Sequence, residues 1–192
     1  MEILEQIESR RAYRALSDAP IGEGILLRLA QAAHLAPSSA NNQPWRMITV
    51  TDPVRLESLK ASLSQGNYWA KKAPAITAFL ANADWSMKMD SGRDLAWFEL
   101  GMAAMNYQLQ AVKEGLHVHP IVGFNAAAAK LALGVPEAVT LEVLVVLAYP
   151  GPAAGLNERH LAAETAPRSR KPLEAVYAAN AWDDRLLPAP KA

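Results

Sequence analysis

The chain has 192 residues, 51% of them apolar and 20% charged, which fits one domain with a sizeable core, roughly 70% of the unfolded surface being buried. Nineteen basic and nineteen acidic side chains cancel to a formal net charge of zero. That balance excludes the basic excess of a nucleic-acid binder and leaves any anion to a local cluster of arginines. The absence of cysteine excludes disulfides, thiolate nucleophiles and cysteine metal sites, and fits a reducing compartment.

In chain order, MEILEQIESRR opens with acids and lacks the apolar segment of a signal peptide, so the protein reads as cytoplasmic. Residues 2–9 predict a helix, with Ile3, Leu4 and Ile7 opposite Glu2, Glu5 and Glu8. Residues 22–35 predict a second, striped by Ile25, Leu26, Leu29, Ala32 and Ala33. Met47 to Val50 reads as a strand, and Asp52-Pro53 opens a short helix burying Leu56, Leu59 and Leu63. Pro74 to Ala81 reads as a buried strand. Gly92 to Glu114 is the longest helix candidate. It is apolar around much of its circumference, so it is central or its second face meets a partner. Gly115 is placed to end it. His117 to Val122 reads as a short strand. Asn125 caps a helix to about Leu133, closed by Gly134-Val135-Pro136, and Leu141 to Tyr149 reads as a central strand. The run Val139–Tyr149 contains Glu142 and is too short to span a bilayer, so no membrane segment is expected.

Beyond Pro150 the periodicity weakens, apart from a short helix at 156–163. Leu173, Val176, Tyr177, Trp182, Leu186 and Leu187 are anchors for a tail that docks on something, a second subunit among the candidates. Residues 1–192 therefore read as a single α+β domain with a small mixed sheet packed between helices, and 151–192 as its less regular C-terminal segment. No GxGxxG, Walker A, HExxH or GxSxG pattern is present.

Three clusters carry the chemistry: Arg10-Arg11-Ala12-Tyr13-Arg14, the loop from Pro37 to Trp45, and Arg168-Ser169-Arg170-Lys171. Each has a plain reading by itself. Arginines complement a helix C-terminus, Ser and Asn make turns, and a basic run is solvated. Taken together, and in this order, they resemble the FMN-dependent nitroreductase family over about residues 8–178. The first cluster matches an R-R-S-x-R-like element. Ala36 to Met47 matches A-P-S-S-x-N-x-Q-P-W-x-F with Met in the last place. Ala73-Pro74 opens the expected strand, Gly115-Leu116 leads to Gly123, Leu133 to Glu137 matches L-G-x-P-E, and a basic R/K-x-R element precedes Pro172-Leu173.

The resemblance implies a nitroreductase-like fold with an antiparallel or mixed sheet, and FMN at a homodimer interface over which the C-terminal tail is exchanged. It implies that Arg10, Arg14, Arg168 and Arg170 hold the ribityl phosphate by forked, charge-assisted contacts, with Arg11 and Ala12 in the same element. Pro37, Ser38 and Ser39 would reach the other subunit's cofactor, and Asn41 and Gln43 the ring or ribityl chain. Asn67 is a looser match to an asparagine on the pyrimidine edge. The backbone of Pro120, Ile121, Val122 and Gly123 would lie along the ring. Two departures stand out: Ala12 replaces a usual Ser, and neither Lys71 nor Lys72 is in register with a basic residue the family often has.

His117 and His119 share a strand face as a weak metal pair without a third ligand, or as part of the flavin site; no metal is expected. Trp45 reads as core. Trp97 and Phe98 are core, interface or lid, and Trp85 is a substrate-contact candidate. The resemblance implies an oxidoreductase that takes a hydride from NADPH or NADH and passes electrons to a nitroaromatic, quinone or similar acceptor by a ping-pong route, with the chemistry on FMN and no side-chain catalyst. The alternatives are a dehalogenase, flavin-destroying or thiazoline-oxidising relative on the same scaffold, or a non-catalytic FMN-binding protein.

Overall fold

In the computed structural model, which describes residues 2–90 and 92–188, four helices begin on a side chain that caps them. Residues 1, 91 and 189–192, the end of the expected tail among them, lie outside the described residues. Asp52 accepts from the Arg55 N–H at the start of α3 (Pro53–Lys60). Asp94 caps α4 (Leu95–Lys113), Asn125 caps α5 (Ala126–Leu133) and Asn157 caps α6 (Glu158–Thr165). Each cap satisfies an amide that the helix itself leaves unpaired. Helix α4 starts later than the periodicity predicts because Gly92 sits at φ 71°, outside the helical region. Gly115 and Gly134 take left-handed φ where α4 and α5 end, as expected.

The two earlier helices are α1 (Glu5–Ser9) and α2 (Glu23–His34). Nothing in α1 is buried, and Ile3, Leu4 and Ile7 face solvent. The strands are β1 (Arg46–Val50), β2 (Ala75–Ala81), β3 (His117–Ile121) and β4 (Thr140–Ala148), in the order β1-β2-β4-β3. Every pair among the described strands is antiparallel, so the mixed alternative falls away. β2 and β4 are interior, and their near-continuous apolar sequence follows from being covered on both faces.

Alternate side chains enter two cores. Phe79, Val145, Leu147 and Val118 point to one face and pack with α2 and with Leu100, Ala103, Tyr107 and Ala111 of α4. Ile76, Leu80, Leu144 and Val146 point to the other and pack with Leu56 and Leu59 of α3 and with Trp69 and Ala70. Trp69 and Ala70 lie on a 3₁₀ stretch, Gln65–Lys72, that the periodicity does not reveal. A chain of hydroxyls crosses the first core: Thr49 to Thr77 at 2.9 Å, and Thr77 to Tyr107 at 2.6 Å.

Past β4 the chain bridges back to the N-terminal segment. Ser17 N–H donates to the Tyr149 carbonyl at 2.9 Å, and Gly151 N–H to the Ala15 carbonyl at 3.1 Å. The approach demands glycine, because a Cβ at 151 would lie 2.2 Å from the Leu16 carbonyl carbon. This bridge draws Arg10–Arg14 toward the C-terminal segment.

Candidate functional site

From Leu16 the N-terminal segment runs back beside β3. His117 Nδ1 donates to the Ala15 carbonyl at 3.0 Å and His119 Nδ1 to the Tyr13 carbonyl at 3.1 Å. Tyr13 stacks on His117 with centroids 4.2 Å apart, and Trp69 lies 4.4 Å from His119. The shared face of the two histidines thus clamps residues 13–15. Burial, then the cations Arg14 and Arg10, hold His119 down at about 4 against the opposing pull of the Tyr13 carbonyl. Among the described residues no group of three or more His, Cys, Asp or Glu is placed to hold a metal ion.

Three side chains stitch the N-terminal segment to α6 and the residues just after it. Glu164 accepts from the backbone N–H of Arg14 at 2.8 Å and of Ala15 at 3.1 Å. Arg11 donates to the carbonyls of Ala163 and Ala166, at the end of α6. Arg168 donates to the carbonyls of Ile7 at 3.1 Å, Glu8 at 2.7 Å and Arg10, at the end of α1. Each arginine thereby satisfies the free carbonyls of a helix in the other segment.

The outcome is a concentration of positive charge. Burial lowers the pKa of Arg10, and so do Arg168 and Arg170; both charges acting on it are positive. Arg14 lies over the Trp69 ring, 5.7 Å from its centroid, and its Nε is buried with no partner. It lines a cavity of about 370 Å³ together with Tyr68, Lys71, Lys72 and Gly155. Ala12 is exposed beside this group. The first and third clusters of the sequence therefore meet, 158 residues apart along the chain at the Arg168–Arg10 contact.

Asn67 joins the end of β3. Its amide donates to the Gly123 carbonyl at 2.8 Å and to Ser64 Oγ at 3.3 Å. A Cβ at Gly123 would meet Asn67 Nδ2 at 2.8 Å and Ser64 Oγ at 2.7 Å, so glycine is what admits the contact. Ile121 is buried in the core while Pro120 and Val122 are exposed. Of these residues it is the backbone, not the Ile121 side chain, that can line a ligand.

The Pro37–Trp45 loop folds on itself. Ala40, Asn41 and Gln43 all have left-handed φ, 49°, 57° and 49°, which Asn tolerates and Ala resists by about 1 kcal/mol. Ser38 Oγ accepts from Gln43 N–H at 2.9 Å, and the Gln43 amide donates to the Asn41 carbonyl at 2.8 Å. Ser39 N–H donates to Glu99 at 2.7 Å. Pro37 is exposed, and Trp45 is buried in the first core as expected. The loop lies at the sheet end of Arg46 and Ala81, opposite the end where Leu16 bridges Pro150. None of its described hydrogen bonds reaches the arginine cluster of the same chain. Trp85 carries the Arg46 guanidinium 4.7 Å from its centroid. Trp97 packs against the first core, whereas Phe98 is 67% exposed.

The sequence pattern of the nitroreductase family matches residues 7–68 and 63–149, most of the chain. The chain belongs to the nitroreductase family. A Bacillus subtilis FMN reductase [NAD(P)H] is 30% identical over 91% of this chain and 72% of its own length. A Thermus thermophilus NADH dehydrogenase is 26% identical over 87% of this chain and 90% of its own. The crystal structure of an oxidoreductase containing FMN superposes with a TM-score of 0.85 at 24% identity, over 95% of this chain and 94% of that one, a likeness of fold.

The matched stretch includes Arg10, Arg14, the loop, Asn67 and Gly123, and ends before Arg168 and Arg170. Sequence reasoning missed Glu164, Gly151 and Glu99. Glu99 had a visible signal, an acid inside the apolar stripe of the long helix. Glu164 and Gly151 had none, since their partners lie in a distant segment. No helix among the described residues is long and apolar enough to cross a membrane.

Proposed function

We propose that this nitroreductase works as a homodimeric FMN oxidoreductase, drawing hydride from NADH or NADPH and passing electrons to a nitroaromatic or quinone acceptor in a ping-pong cycle. The observation that carries the reading is Arg10, Arg168 and Arg170 crowded together beside Arg14, whose buried Nε has no partner. Cations so held repel one another until an anion joins them, and a phosphate carries close to two negative charges near pH 7. The residues fit FMN in a second respect: the 120–123 backbone and the Asn67 side-chain amide, whose NH₂ is held by Gly123 and Ser64, bring polar groups to the exposed end of β3. When bound, FMN supplies hydride acceptance and donation.

The chain's own residues divide the work. Arg10, Arg14 and Arg170 face the phosphate. Arg168, expected from the sequence at the phosphate as well, spends Nη1 and Nη2 on backbone carbonyls, as Arg11 spends Nη2, and the two hold the other three in place. Asn67 and the 120–123 backbone line the ring. Pro37, Ser38 and Ser39, with Asn41 and Gln43, serve the cofactor of the second subunit, which agrees with their leading into β1, the sheet edge opposite the β3 edge where the arginine segment runs. Trp85, Trp97 and Phe98 line the acceptor side. The exposed Phe98 and Met105 on the outer face of α4 and the exposed Tyr177 and Trp182 of the tail support a large interface over which the tail is exchanged, around one domain spanning 1–192.

The visible spectrum of the purified protein tests the reading. It is yellow, bleaches under anaerobic NADPH, and recovers its colour with p-benzoquinone. A colourless protein that takes up no FMN ends the proposal, and a yellow one that does not bleach makes it a flavin carrier.

A further inference from the structure

Glu99 interrupts the buried stripe of α4 and is only 2% exposed, and none of the described ion pairs includes it. An acid in such a place is costly unless its oxygens are hydrogen-bonded, and an aliphatic side chain would serve helix packing at least as well. Both oxygens are engaged, and by different segments. Oε1 accepts the Ser39 N–H at 2.7 Å, in the Pro37–Trp45 loop. Oε2 accepts the Ser86 hydroxyl at 2.5 Å, in the turn that follows Ala83–Trp85. The same two segments touch twice more. Ser39 Oγ lies 3.5 Å from Met87 Sδ, and Arg46 lies over Trp85. Ser39 also stands directly before the left-handed residues Ala40 and Asn41, so its anchor steadies a strained turn.

We propose that Glu99 is a positioning residue that locks the flavin-facing loop to the acceptor-facing segment 85–87, so that one side chain sets how far the acceptor rests from the cofactor. The inference stands on the reading above, in which the loop serves the neighbouring subunit's flavin and Trp85 faces the acceptor. Transfer between two stacked rings is sensitive to displacements of about 1 Å, which makes a rigid link between the two walls consequential. The two hydrogen bonds have separable effects. The Ser86 bond holds the acceptor side alone, and the Ser39 bond holds the cofactor side.

The test uses the flavin-loaded dimer with NADPH as donor and p-benzoquinone or nitrobenzene as acceptor. Ser86→Ala raises the acceptor KM about fivefold, the effect of one hydrogen bond, with the NADPH KM and the visible spectrum at parental values. Glu99→Ala raises the acceptor KM about tenfold or more, the effect of both bonds, and also shifts the visible band. Glu99→Gln recovers most of that loss, because its amide oxygen accepts from Ser39 while its NH₂ donates to Ser86. Parental acceptor KM in Ser86→Ala overturns the inference, whether or not Glu99→Ala folds. So does a Glu99→Gln protein no better than Glu99→Ala when both melt at the same temperature, since geometry would then not be what Glu99 supplies. A parent protein that holds no flavin removes the underlying reading instead, and is recognised before any variant is compared.

Discussion

Arg14 Nε is a buried N–H with nothing to donate to, and leaving such a group unpaired costs about 1–3 kcal/mol. A phosphate oxygen beside it would recover that cost and add a charge-assisted bond. Arg14→Ala therefore weakens FMN binding about tenfold or more, measured by titrating the flavin-free protein and following fluorescence quenching. Unchanged affinity would remove Arg14 from the phosphate site. Replacing Ala12 by Ser adds at most one neutral hydrogen bond, about 1 kcal/mol, a smaller effect than the loss of an arginine. His119 adds a pH dependence whose direction follows from its burial. The folded ring holds its proton only below about 4, against an ordinary 6.5. Above 6.5 both states are neutral and nothing is lost. As the pH falls from 6.5 toward 4 the unfolded chain takes up a proton that the folded chain refuses, so stability drops. Urea midpoints measured across that window decline in the parent and decline less in His119→Gln.

The short helices are held by contacts with other segments more than by their own sequence. No residue of α1 or α6 is buried, so packing does not fix them. Arg168 on the carbonyls of α1, Arg11 on those of α6, and Glu164 on two adjacent amides form a stitch between chain ends. Glu164→Ala frees the Arg14 and Ala15 amides and lets the arginines drift. FMN affinity then falls about tenfold through mispositioning, read as flavin retained after dialysis, while the urea midpoint of the sheet core changes little. The β4 exit behaves differently. Gly151→Ala forces the backbone off Leu16 and costs about 3 kcal/mol as an overpacked contact, seen as a lower urea midpoint with an unchanged slope. The long helix was legible because its stripe repeats over five turns and Gly115 marks its end, while its start at the Asp94 cap was not read from the pattern. Gln65–Lys72 was not, because a 3₁₀ stretch repeats every three residues and mixes apolar with polar positions.

At the scale of the molecule, the arginine segment runs beside β3 and the serine loop leads into β1, the two opposite edges of the sheet, so the proposed flavin site does not draw both from one chain. The proposed dimer would supply both from two copies, and Phe98, Met105, Val176, Tyr177 and Trp182 are the exposed apolar side chains of α4 and the tail that it would cover. Sedimentation velocity of the flavin-bound protein gives a dimer, and Tyr177→Ala with Trp182→Ala shifts it toward monomer and lowers flavin content. A parent that sediments as a monomer with full flavin content would show that a single chain completes the site.

Strand and helix positions, the caps at Asp52 and Asn125, and the family pattern from Ala36 to Met47 were determined by the sequence alone, because each is a local matter of periodicity or of a side chain reaching its own backbone. The tertiary structure alone decided that Arg11 and Arg168 reach carbonyls of distant segments, why residue 151 must be glycine, and what a buried acid at 99 holds together. Those outcomes depend on segments distant in the chain meeting at about 3 Å, and nothing in a linear pattern records which distant groups will meet.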